Sequence, residues 1–119
     1  MRDKIGDIGF IIVDCNDNEL VASFWSKVLG LDVIERSGHY IDLAQSSDSS
    51  PAMCFQKVDE PKINKNRVHV DVEVANLLTA TKHIEALGGS LLQELSEGAY
   101  KWRVMADPEN NEFCVYLKK

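Results

Sequence analysis

The sequence predicts an α+β fold built from two tandem βαβββ modules, and three observations carry that prediction. A strict alternation of apolar and polar residues runs through "RVHVDVEV" at 67–74 and passes into a helical pattern that stops at Gly88-Gly89. The same order of strand, helix and glycine occurs earlier, in "GFIIVDCNDNELVASFWSKVLG". Each opening is followed by further strand-like segments, so the 119-residue chain sets out one plan twice.

In the first module, Phe10 to Asp14 reads as a strand, and Asn16 or Asp17 supplies the side-chain oxygen that caps a helix, with Asn16 and Glu19 at capping-box spacing. Leu20, Phe24 and Val28 form one apolar stripe of that helix, with Val21, Trp25 and Leu29 beside it, and Gly30 ends it. "LDVIER", "HYIDLAQ" and "AMCFQKV" then read as three strands, with "SSDSSP" as the turn before the last. In the second module Val68, Val70, Val72 and Val74 form the buried side of a half-buried strand, and His69, Asp71 and Glu73 the polar side. Asn76 caps a helix whose stripe is Leu77, Ala80, Ile84 and Leu87, and Gly88-Gly89 permits the left-handed turn that closes it. "SLLQEL", "YKWRVMA" and "EFCVYL" follow as strands, with "DPENN" launching the last. The boundaries are therefore about 5–58 for module one, a polar linker at 59–66, and about 67–119 for module two, all within one domain over 1–119. A four-stranded sheet with one helix has one face covered and one bare, and a second copy is a physical way to close the interior.

Composition narrows the functions open to this fold. A formal net charge of −6 opposes general polyanion binding, which needs clustered Lys and Arg, so no nucleic-acid partner is expected. Lys57, Lys62, Lys65 and Arg67 are diluted by Asp59 and Glu60 and read as a solvated loop. No apolar run approaches the ~20 residues that span a bilayer, and the N-terminus carries no apolar signal core, so a cytoplasmic protein without a membrane partner is expected. Cys15, Cys54 and Cys114 are an odd count without CxxC spacing, which suits reduced thiols.

The phrases "FWSKVLGLDV", "RVHVDVEV", "EALGG" and above all "DPENNEFCVY", set in paired βαβββ modules over nearly the whole chain, resemble the glyoxalase-like branch of the vicinal oxygen chelate superfamily. That superfamily includes glyoxalase I, extradiol dioxygenases, fosfomycin-resistance transferases and bleomycin-resistance proteins. The resemblance implies the glyoxalase/bleomycin resistance/dihydroxybiphenyl dioxygenase fold, with strands curling around a cleft, and is weaker for reaction, because one scaffold hosts unrelated chemistries. In metal-dependent members, ligands stand at the start of the first strand and in the last strand of each module. Aligning the modules on Phe55 and Phe113 places those positions at Phe10 and Gln56, and at His69 and Cys114. Only His69 is a routine ligand; Phe10 cannot coordinate, Gln56 offers a weak neutral oxygen, and Cys114 stands where the family usually has glutamate.

The expectation is thus a glyoxalase-like small-molecule binding protein without a classical metal site, of resistance or sequestration type. Its ligand-binding residues are Phe10, Gln56, His69, Cys114, Tyr40 and Trp102, grouped around one cleft, with the aromatics forming a wall for a flat or cationic ligand. Tyr40 and Trp102 fit core packing equally well, because their strand parity is open. No cofactor is expected. The alternative is a metal- or acid/base-dependent lyase or isomerase, or a dioxygenase-type enzyme, in which His69 and Glu112 are catalytic and His69, Cys114 and Glu112 hold a divalent metal. His69 also fits the plain role of a polar strand residue; with Asp71 and Glu73, spaced two apart on its side, it fits either an acid–base set in a cavity or the wet face of a sheet, and Glu73, near the strand end, is read as wet face. A structural or regulatory interaction role is the third reading. A homodimer is expected, since bare sheet faces pair within or between chains.

Overall fold

The computed structural model describes residues 4–117. The chain divides into two compact units, Met1–Glu60 and Pro61–Lys119. Each has the element order and the strand pairing expected of a βαβββ module.

In the first unit, β1 (Phe10–Cys15), α1 (Asn18–Leu29), β2 (Val33–Arg36), β3 (Tyr40–Leu43) and β4 (Ala52–Lys57) form a sheet of order β1-β4-β3-β2 with one helix packed on it. β1 lies parallel to β4, which the helical crossover permits, and the remaining pairs are antiparallel. The Asp17 side chain caps α1 by accepting from the Leu20 N–H at 3.1 Å. Gly30 ends it at φ 66°, a left-handed conformation costly to any residue with a Cβ. Val21, Ala22, Phe24 and Trp25 are buried against the sheet, whose helix-facing side contributes Cys15, Ile41, Leu43, Met53 and Phe55. Leu20 corrects the expected stripe: it is 47% exposed, because the buried arc is centred on Val21, Phe24 and Trp25 and leaves Leu20 at its rim.

The second unit repeats the arrangement with β5 (Asp71–Val74), α2 (Leu77–Ala86), β6 (Ser90–Glu97), β7 (Tyr100–Ala106) and β8 (Glu112–Leu117) in the order β5-β8-β7-β6. Asn76 caps α2 through Thr79 N–H at 2.9 Å. At the other end, the Gly89 N–H donates to Ile84 O and the Gly88 N–H to Glu85 O, the paired bonds of a Schellman closure, with Gly88 at φ 104°. Strand β5 begins at Asp71, later than the alternation suggested. Val68 is 79% exposed and His69 precedes the ladder. The turn before β8 is held by Asp107, 2% exposed, whose Oδ1 accepts from the Glu109 and Asn111 N–H groups at 2.9 and 3.0 Å. Asn110 takes the left-handed conformation there, φ 67°.

Both units carry a β-bulge at the same point of the plan, between Val33 and Glu35 and between Leu91 and Gln93. A bulge inserts one unpaired residue and so reverses the side on which the next side chain emerges. Without it, Ile34 would face Asp42; with it, Glu35 does. No helix among the described residues is long and apolar enough to cross a membrane.

Candidate functional site

Strand parity divides each sheet into a face packed on its helix and a face the helix leaves open. In the first unit the open face carries Phe10, Ile12 and Asp14 from β1, paired with Ala52, Cys54 and Gln56 of β4. Tyr40 and Asp42 continue the face across β3, and Glu35 across β2. A pocket of about 300 Å³ forms on it. Phe10, Ile12 and Tyr40 supply its apolar wall, Cys54 its floor, and Glu35, Ser37 and Asp42 its polar edge. Phe10, Ile12 and Tyr40 are 53%, 50% and 42% exposed, so this apolar surface is accessible.

The Cys54 thiol is buried at 3% exposure. Burial, followed by the hydrogen bond and the negative charge of Asp42 opposite, pushes its pKa up to about 12. The floor of the pocket is therefore a neutral thiol at physiological pH and a poor nucleophile.

The second unit's open face carries a donor cluster and an aromatic row. His69 Nε2 lies 3.2 Å from Asp71 Oδ1, and Asp71 sits directly opposite Cys114 in the parallel β5–β8 ladder. The three donor atoms lie within 4.8 Å of one another. Burial raises the Cys114 thiol above its ordinary value, and the Asp71 carboxylate adds to the shift. An imidazole, a carboxylate and a thiol match in type and number the three protein ligands of a catalytic zinc site. These residues would hold such an ion, which acts when bound as a Lewis acid toward a ligand oxygen. Beside the cluster, Tyr100 and Trp102 stand with ring centroids 5.3 Å apart, and Tyr100 and Tyr116 at 6.4 Å. The Tyr116 hydroxyl donates to Glu73 Oε1 at 3.4 Å, a long contact.

The structure sorts the residues named from sequence. Phe10 and Tyr40 share the first unit's pocket, and Gln56 lies on the same face, paired with Asp14 and Tyr40. In the ladders, however, the counterpart of Cys114 is Cys54: Ile12 faces Cys54 as Asp71 faces Cys114. Aligning Phe55 with Phe113 shifted the comparison by two residues, which preserves parity and so leaves the hydrophobic pattern intact. His69 and Cys114 come together, with Asp71 as the third member. Trp102 lies on the open face, within the aromatic row.

Glu112 is engaged at the linker. Its Oε1 accepts from the Asn66 N–H at 3.0 Å, and Lys62 and Lys65 lie 3.6 and 3.2 Å from its carboxylate. The Asn66 side chain completes a peptide-like pair with the Glu112 backbone, donating to its C=O and accepting from its N–H, both at 3.0 Å. The Asn66 N–H, then Lys65 and Lys62, hold the Glu112 carboxyl below the usual carboxylate range. Sequence reading missed Glu35 and Asp42 as pocket residues, and Asp71 reads from sequence as an acid–base or wet-face residue and not as a metal donor. Asp42 and Asp71 carried a legible signal, two residues along the strand from Tyr40 and from His69; Glu35 carried none, because the bulge aims it.

Comparison with known proteins extends this picture. No curated protein matches the sequence. The solved structures include a glyoxalase-related enzyme from Fulvimarina pelagi, 14% identical over 96% of this chain and 89% of that one, with a TM-score of 0.76. A glyoxalase/bleomycin resistance protein/dioxygenase family enzyme from Burkholderia phytofirmans PsJN is 18% identical over 94% and 98%, with a TM-score of 0.69. A mutant of the fosfomycin resistance protein FosX from Listeria monocytogenes, complexed with Mn(II) and 1S,2S-dihydroxypropylphosphonic acid, is 16% identical over 96% and 90%, with a TM-score of 0.76. At these identities the likeness is one of fold. The family profile described as a glyoxalase-like domain matches residues 10–116, and with the paired βαβββ units this assigns the chain to the glyoxalase-like domain family of the vicinal oxygen chelate superfamily.

Proposed function

We propose that the protein binds a flat small molecule on the open face of its first sheet, in a resistance or sequestration role, without a metal site of the family's usual four positions. The observation that carries this reading is the pocket of Phe10, Ile12 and Tyr40 over a neutral Cys54 thiol. Carbon stands at Phe10, where a metal-dependent relative has a ligand, and the thiol beneath is unsuited to attack a substrate. Exposed apolar side chains gathered in one concave pocket beside a few polar groups mark a binding site. Pairing of two copies into a homodimer belongs to the same reading, since each unit's sheet leaves one face uncovered by its helix. Light scattering tests the pairing, and a monomer mass at micromolar concentration refutes it.

The binding test is titration of isotope-labelled protein with flat aromatic compounds, followed through the amide signals of Ile12, Tyr40 and Cys54. Saturable shifts there are expected. A screen that moves none of these signals refutes the reading.

A second reading has its own observation. The His69, Asp71 and Cys114 cluster favours a metal-dependent lyase or isomerase, and a structural neighbour was crystallised with Mn(II). Stoichiometric zinc, nickel or iron retained after dialysis, and lost in His69→Ala, would establish this reading over the first. Less than about one equivalent would leave it without its central part.

A further inference from the structure

Resting on the binding reading above, the charge pattern of the open faces identifies a class of ligand. By register, the first sheet's open face carries three carboxylates, Asp14, Glu35 and Asp42. Among the described residues of its strands it carries no Lys or Arg. The cations of those strands go to the other face: Arg36 pairs with Ile41 and binds Glu19 on α1 at 2.9 Å, and Lys57 pairs with Cys15. The second unit repeats the segregation. Asp71, Glu73 and Glu97 lie on its open face, whereas Arg103 is drawn to the helix side by Thr81 and Glu94, both at 2.8 Å, and Lys101 lies opposite Ser96. The His69 imidazole is the exception, and it sits against Asp71.

A second observation is the cross-strand pair Glu35 and Asp42, which face each other directly because the bulge at Val33/Glu35 puts them there. Like charges directly opposite in a ladder destabilise it. Among the described residues no Lys or Arg forms an ion pair with either. A ladder that places two acidic residues at paired positions on the edge of an apolar pocket gives that edge negative charge, with no Lys or Arg among the described strand residues of the same face to offset it. A cation bound there supplies the missing charge. The wall of Phe10, Ile12 and Tyr40 disfavours hydrated Ca²⁺ or Mg²⁺, which require six or more oxygen ligands, and suits an organic cation whose ring lies on aromatic carbon.

We infer that the pocket of Phe10, Ile12, Tyr40, Glu35 and Asp42 takes a small aromatic cation, an amine or amidinium carried on a flat ring, and rejects anions of the same shape.

Three isosteric probes test this on the full chain: benzamidine, benzamide and benzoate, each titrated at low salt while the amide signals of Ile12, Tyr40 and Asp42 are followed. Benzamidine is expected to bind at least about tenfold more tightly than benzamide, and benzoate to leave the signals unmoved. Glu35→Gln and Asp42→Asn should each remove most of that preference, read as the ratio of benzamidine to benzamide affinity in the same variant. Equal binding of benzamide and benzamidine at these residues overturns the cation assignment and leaves the binding reading standing. Tighter binding of benzoate, or displacement of benzamidine by Ca²⁺ at equal concentration, also overturns it. Silence from all three probes at these signals overturns both.

Discussion

The neutral state of the Cys54 thiol can be tested through stability, and its magnitude follows from the structure. The thiol's pKa is raised from the 9.0 of an exposed cysteine to about 12 by burial and by Asp42. A group whose folded pKa is raised contributes stability that is complete below its unfolded pKa and is lost as pH rises toward the folded value. Between pH 9.0 and about 12 the unfolded chain gives up this proton and the folded chain keeps it. Each unit of pH in that window costs about 1.4 kcal/mol, so at about pH 10.5 the loss from this thiol is about 2 kcal/mol. Other groups titrate in the same range, so the assay is a comparison: urea denaturation of wild type and Cys54→Ala at neutral pH and at about pH 10.5. The wild type is expected to lose about 2 kcal/mol more than the variant over that interval. Cys114 and the tyrosines are present in both proteins and cancel. Equal losses would refute the reasoning, place the Cys54 pKa near that of an ordinary thiol, and reopen nucleophilic chemistry at the floor of the pocket.

Phe10→Ala should weaken a flat aromatic ligand by roughly 1 kcal/mol or more, the scale of a stacking contact with its buried area, and an unchanged dissociation constant would move the site elsewhere. Glu112→Ala leaves the Asn66 N–H without its acceptor and should lower the urea-unfolding free energy by about 1–3 kcal/mol. Because the Glu112 carboxyl is held below 4.5, its stabilisation is present above that pH and is lost as pH falls through the folded value. The variant should therefore show a shallower acid decline, and identical acid profiles would contradict the linker contact. Asp107→Ala removes the acceptor for two backbone N–H groups in a buried turn and should cost about 2–4 kcal/mol, read as a lower melting temperature. A shift within experimental error would show that water replaces the carboxylate there.

The sequence by itself determined the architecture. Alternation in "RVHVDVEV", helical spacing before Gly30 and Gly88, a capping oxygen at Asn16 or Asp17 and another at Asn76, and the Asp-Pro turn at 107–108 are local signals that specify each element's type, whereas the choice of Asp17 as cap and the start of β5 at Asp71 came from the fold. The duplication was legible for the same reason, since the two copies repeat those local rules. What the sequence could not determine was where side chains point once strands pair. Tyr40 and Trp102 had open parity until the ladders assigned both to the open face. The two-residue slip that matched Gln56 with Cys114 left every apolar position in phase, so only the parallel β1–β4 and β5–β8 registers reveal Cys54 as the counterpart. Glu112 has the parity of Cys114, yet the linker's Asn66, Lys62 and Lys65 claim its carboxylate, a contact across more than forty residues of chain. Glu35 is aimed by a bulge that no residue of "LDVIER" announces, and that one inserted residue makes the edge of the pocket acidic. Strand periodicity is a property of neighbours in the chain, whereas register and bulges arise from the partner strand, and the chemistry of this open face depends on the second.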